Sequence, residues 1–127
     1  MEYRIIGEIS PYLKKLVDLD SFISDVAIFE GGLKKHLVKQ KHGDALIYFN
    51  KIAEIISTPD YVGINPKEKN ESMELIKRYD SNVLLALKVD KKNNCYYIPT
   101  MYTVSEYKVK QRLYSGRLKK VDRSFKE

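Results

Sequence analysis

The stretch SMELIKRYDSNVLLALKVDKKNNCYYIPTMYTVS, residues 72–105, decides the fold. SMELIKRY (72–79) alternates apolar and polar residues, and the turn signal DSN leads from it into VLLALKV (83–89). DKKNN then leads into CYYIPTMYTVS (95–105). Three β-rich runs separated by short polar turns predict an antiparallel meander. Within CYYIPTMYTVS, Tyr96 and Tyr97 point to opposite faces, as do Tyr102 and Thr103 and then Val104 and Ser105. One face can therefore be core while the other presents hydroxyls.

Upstream, residues 1–60 read as a mainly helical front half. In SPYLKKLVDLD, Ser10 suits an N-cap and Pro11 the first helical position, where its missing N–H costs nothing. Leu13, Leu16 and Val17 give that helix an apolar stripe. LKKHLVKQKH carries Leu33 and Leu37 at helical spacing, with Gly43 as its stop and Asp44 as a new N-cap. ALIYFNKIAEIIS (45–57) is the strongest helical pattern, with Leu46, Phe49, Ile52, Ala53 and Ile56 on one face. Thr58-Pro59 ends it, and PDYVGINPKEKNES reads as a loop. YRIIGEIS and SDVAIFE are short β-like runs, either of which supplies a fourth strand. Downstream, residues 106–127 form a basic helix and tail, with Tyr107, Val109, Leu113 and Leu118 at helical spacing to about Lys120 and Gly116 as its weak point. The expectation is one α+β domain over residues 1–127: N-terminal helices packed on one face of a small antiparallel sheet of three or four strands, followed by the basic C-terminal helix.

Composition narrows the function classes. A chain of 127 residues can bury a core without staples, and its single cysteine, Cys95, excludes an internal disulfide framework and a multi-cysteine zinc site. No apolar run approaches a membrane span, and MEYRIIGEIS lacks the apolar core of a secretory signal, so the expected setting is cytoplasmic with no membrane partner. The net charge of +6 favours a polyanionic partner. Residues 108–126 concentrate that charge, with eight basic side chains against Asp122 alone. Tyr107, Tyr114 and Phe125 interleave aromatic faces that suit base stacking, although a solvated tail has the same composition.

The two histidines, His36 and His42, lie six residues apart among Lys34, Lys35, Lys39 and Lys41. As a metal clip they fare poorly. Zinc needs three or four ligands, the spacing is not a helical pair at i and i+4, and four lysines oppose a dication. As acid–base groups they fit cleavage of a phosphodiester by the RNA 2′-hydroxyl, which needs a base, an acid and cations around the phosphorane. On the residues alone, a solvated lysine-rich turn is the favoured reading.

Several segments together resemble the phage-associated PBECR nucleases, relatives of the barnase, EndoU, colicin and RelE ribonucleases. IGEISPYLKKLVDL, VAIFEGGLKKHLVKQKH, FNKIAEIISTPDYVG, SMELIKRY, LLALKV, YYIPTMYTVS and RLYSGRLKKV follow one another in the family's order. KHLVKQKH and PDYVG are the most specific parts. Glu30 departs from the pattern, where a small hydroxyl residue is expected, and no role is carried over to it. The resemblance implies a helical front end, a four-stranded antiparallel sheet, and RNA cleavage to a cyclic phosphate with no metal or other cofactor. It makes His36 and His42 the leading catalytic candidates; the sequence itself favours His36 as the base, because Leu33 and Leu37 fix that turn, and His42 as the acid or phosphate ligand. Thr103 and Ser105 would donate to the scissile phosphate or orient the base, unless they are ordinary polar residues of the strand, and the planar fork of Arg112 would stabilise the phosphorane. Lys41, Lys108, Arg117, Lys119 and Lys120 are candidate RNA contacts, and Tyr61 is either a stacking platform or a loop anchor on the core. RNA is the expected partner, with an acidic antitoxin or immunity protein as a second. A non-catalytic nucleic-acid-binding or phage-accessory protein on the same scaffold is the competing reading.

Overall fold

A computed structural model of the chain describes residues 4–19, 22–67 and 72–122. The meander forms as the alternation predicts. Strands β4 (Ser72–Arg78), β5 (Asn82–Asp90) and β6 (Cys95–Val104) pair antiparallel in succession. They stand at the centre of a larger sheet. β1 (Arg4–Glu8) and β2 (Asp25–Ile28) extend it on one side, and β3 (Tyr61–Gly63) and β7 (Leu118–Lys120) on the other, in the order β1-β2-β6-β5-β4-β3-β7. The β2–β6 contact is parallel, through Val26 opposite Tyr96 and Ala27 opposite Tyr97.

The expected small antiparallel sheet of three or four strands is thus corrected to a seven-stranded mixed sheet, and strands precede and interleave with the helices. The reason is length. β3 and β7 have three residues each, too few to display a period, and their strand character comes from neighbours rather than from local pattern. Helices also cover both faces. α1 (Pro11–Leu16), α2 (Glu30–Lys39) and α3 (Ile52–Ser57) share the main core with Val26, Leu75, Leu85 and Met101. On the opposite face α4 (Glu106–Ser115) sends Val109 into a second cluster with Tyr61, Ile76, Leu84, Val104 and Leu118. That two-sided burial explains the near-continuous apolar reading of VLLALKV.

Local signals set the helix ends. Ser10 caps α1 by accepting from the Leu13 N–H at 3.3 Å, with Pro11 in the first turn. α2 begins earlier than its leucines suggest, at Glu30, and stops at Lys39 rather than at Gly43. Lys41 takes the left-handed position (φ 60°), its N–H donates to Val38 O at 3.2 Å, and the His42 N–H donates to Leu37 O at 2.8 Å. This is a Schellman turn built on a lysine, a residue that pays about 1–2 kcal/mol for that conformation. Lys41→Gly should therefore leave the midpoint of urea unfolding unchanged or raise it, while Lys41→Ala should not raise it.

ALIYFNKIAEIIS is not one α-helix. Gly43–Lys51 is a 3₁₀ helix and only Ile52–Ser57 is α-helical. Ala45 and Tyr48, three residues apart, are its buried positions, as a threefold repeat requires. The C-terminal helix likewise ends at Ser115, because Gly116 is left-handed (φ 86°), and the chain returns to the sheet as β7. Arg123, Phe125 and Lys126 of the basic tail lie outside the described residues. No helix among the described residues is long and apolar enough to cross a membrane.

PDYVG lies at the junction that holds β7. The Asp60 carboxylate accepts from the Arg78 N–H at 2.7 Å, and Asp60 O accepts from the Val121 N–H at 2.9 Å. Gly63 faces Leu118, and a Cβ built on it would fall 2.2 Å from Arg117 O and 2.9 Å from Leu118 Cδ2. Backbone cannot yield as a side chain does, so Gly63→Ala should push β7 off β3. The expected loss is about 1–3 kcal/mol in urea unfolding.

Candidate active site

The Schellman turn decides where the histidines sit. A helix continued past Lys39 would carry His42 away from His36. Instead the left-handed Lys41 folds the chain back, and the two imidazole centroids come to 6.5 Å with their planes at 78°. Both rings are half-buried. β2 pairs with β6 only at Tyr96 and Tyr97, and the segment after α2 lies against the rest of that β6 edge. There His42 Nδ1 shares a hydrogen bond with Thr100 Oγ1 at 3.3 Å, and the His42 ring lies 5.4 Å from that of Tyr102. Thr103 Oγ1 donates to the Asp44 carboxylate, a second tie between the same turn and the same strand.

Register extends the site across the sheet. Thr100 pairs with Ala86, Ala86 with Glu74, and Glu74 with Gly63. Side chains paired in one register row share a face. Here it is the face of the second cluster, against which Ala86 and Tyr102 pack. Ala86 gives this row a low floor. Strands lie about 4.8 Å apart, so Thr100 and Glu74 flank that floor at about 10 Å.

Glu74 is 4% exposed, and Arg117 grips it with two bonds, Nε to Oε1 at 2.9 Å and Nη2 to Oε2 at 2.8 Å. Hydrogen bonding to Glu74 holds the Arg117 guanidinium above its ordinary pKa, so its charge is secure. Arg112 Nη1 lies 4.0 Å from Glu74 Oε2, is buried, and has no hydrogen-bond partner among the described residues. One carboxylate thus holds two guanidinium groups on one flank, and the imidazole pair occupies the other. α4, which carries Arg112, is fixed at its start by Glu106, which accepts from Arg78 Nη2 at 2.9 Å and Asn82 Nδ2 at 3.1 Å.

The candidates read from the sequence divide accordingly. His36 and His42 come together, with Lys41 exposed beside them, and Arg112 and Arg117 meet at Glu74. Thr103 does not join them: it pairs with Val83, whose side chain belongs to the main core, and its hydroxyl is committed to Asp44. Ser105 lies one residue past β6 and caps α4, accepting from the Lys108 N–H at 3.1 Å. Tyr61 is 8% exposed and packs in the second cluster, the position of a core anchor. Lys108, Lys119 and Lys120 are exposed. Glu30 is paired with Arg4 at 2.7 Å and Lys34 at 3.7 Å.

Sequence reasoning missed Thr100, Tyr102, Ala86 and Glu74. The signal for Glu74 was the one carboxylate in SMELIKRY, set between Met73 and Leu75, which needs a cation once buried. The signal for Thr100 and Tyr102 was the two-residue period itself, which sets them on the face opposite Thr103.

Among the described residues, no group of three or more His, Cys, Asp or Glu side chains is placed to hold a metal ion. A family model described as phage-Barnase-EndoU-ColicinE5/D-RelE like nuclease3 matches residues 4–111. No curated relative and no solved structure matches the chain.

Proposed function

The chain belongs to the phage-Barnase-EndoU-ColicinE5/D-RelE like nuclease3 family, and on that premise we propose that it is an endoribonuclease acting by attack of the RNA 2′-hydroxyl, without a metal ion. The observation that carries this reading is the 6.5 Å pair of imidazoles seated at the edge of the face that also bears Arg112 and Arg117.

His36 removes the proton of the 2′-hydroxyl. The oxygen attacks the adjacent phosphorus, and the P–O5′ bond breaks. His42 protonates the departing 5′-oxygen, with its Nδ1 held by Thr100 and its Nε2 left for the substrate. The products are a 2′,3′-cyclic phosphate and a 5′-hydroxyl end, so atoms and charge balance with no oxidant or second substrate. Histidine suits both roles because it carries or releases a proton near neutral pH. Arg112 and Arg117 supply the positive charge that the phosphorane needs, held in place before reaction by Glu74. Tyr102, beside His42, offers a ring face to an unstacked base.

The setting proposed for this activity is cytoplasmic and toxin-like, with the basic face open to an acidic antitoxin. Incubation with total RNA in EDTA tests the reading. Cleavage is expected to persist in the chelator and to be lost on substitution of either histidine. Salt-dependent RNA binding with no cleavage under any condition would instead assign a non-catalytic binding protein.

A further inference from the structure

Beside the Glu74 pair lies a second feature. An open groove of about 1130 Å³ runs between the end of α1, the segment after β3 and the turn from α4 into β7. Leu16, Val17, Ile64 and Pro66 give it apolar walls. Arg112, Arg117 and Lys119 line it as well, and Asp18 is the one acid among its lining residues. Tyr114 also lines the groove and is 96% exposed. An aromatic ring left in solvent at the mouth of an apolar groove has no role in the core.

We infer that this groove is a nucleobase subsite, holding a base of single-stranded RNA a few nucleotides along the strand from the cleaved bond. The inference rests on the ribonuclease reading for its substrate, but on different residues for its evidence. Three properties select this ligand. Apolar walls with an exposed tyrosine match the faces of an unpaired base, which stacks on aromatic side chains. Arg112, Arg117 and Lys119 outnumber Asp18 and the Glu74 carboxylate that pairs with both arginines, and the remaining positive charge suits the phosphates on either side of the base. Arg112 and Arg117 belong both to the groove and to the Glu74 pair, so a strand crossing the Ala86 floor from the imidazoles reaches the groove without leaving positive charge. A duplex cannot enter this way, because its bases are stacked and paired. The subsite therefore also predicts a preference for unpaired RNA.

The test uses the full chain and a fluorescein-labelled single-stranded oligonucleotide with 2′-O-methyl ribose, which binds but lacks the attacking hydroxyl. Abasic residues are placed one position at a time, and affinity is read by anisotropy. In the wild type, one abasic position a few nucleotides from the cleavage position should weaken binding by about ten-fold, the scale of one stacked base. Tyr114→Ala should weaken the intact strand by a similar factor and erase the penalty at that position, whereas Tyr114→Phe should preserve both. Because Tyr114 is exposed, the alanine variant should melt as the wild type does, which separates a lost contact from a lost fold. An abasic profile identical in wild type and Tyr114→Ala would overturn the subsite. So would an oligoglutamate peptide that binds as tightly as the strand with the same dependence on Tyr114. The ribonuclease reading fails separately, if wild-type protein cuts no unmodified RNA while the Tyr114-dependent profile is present.

Discussion

His36→Ala and His42→Ala should each lower the rate of RNA cleavage in EDTA by about 10²–10⁴-fold, the usual share of one general acid or base. Neither change should disturb the fold. The bonds that shape this turn are made by backbone groups, His36 O accepting from Gln40 and the His42 N–H donating to Leu37 O, and alanine keeps both. The double variant should be little worse than the worse single variant, because groups that act as a unit are not additive. RNA affinity should change far less than rate, since the contacts proposed for binding lie on Lys41, Lys119 and the arginines. His42→Asn keeps a polar side chain at Thr100 but cannot transfer the proton, so it too should be inactive. Full activity in both alanine variants would remove the histidines from the chemistry.

Glu74→Ala should cost about 3 kcal/mol, because it leaves the Arg117 guanidinium largely buried with its counter-charge gone. For a chain of this size that corresponds to a fall of about 10 °C in melting temperature. Cleavage should fall as well, in the folded fraction, because Arg112 and Arg117 lose the group that aligns them. The informative companion is Glu74→Leu with Arg117→Met. An apolar pair of similar volume removes the Glu74 and Arg117 charges together and should recover part of the stability, the buried Arg112 charge still lacking its partner, without recovering cleavage. Wild-type melting in Glu74→Ala would mean that the carboxylate is not the hub of these contacts.

The central meander was legible in the sequence because its strands are long enough to alternate and its turns are polar. The rest of the sheet was not. β7 follows directly on α4, and LKK has no strand signal of its own until Gly116 breaks the helix and Gly63 lets β3 approach. The imidazole pair was legible as two residues but not as a pair. Its formation depends on Lys41 adopting a left-handed conformation that glycine normally supplies, and the glycine two residues later drew the helix end to the wrong place. The cations were legible from charge, whereas the carboxylate organising two of them needed the register of three strands. Thr103 was chosen for its hydroxyl, and the two-residue period sets it on the face opposite its neighbours Tyr102 and Thr100, which meet His42.

The most direct test is the chemistry of the cut ends. RNA cleaved by the wild-type protein in EDTA should carry a 2′,3′-cyclic phosphate upstream and a 5′-hydroxyl downstream, and a single 2′-deoxy substitution at the cleaved position should block cutting there. Ends carrying a 3′-hydroxyl and a 5′-phosphate, or cleavage that proceeds past the 2′-deoxy residue, would contradict attack by the 2′-hydroxyl.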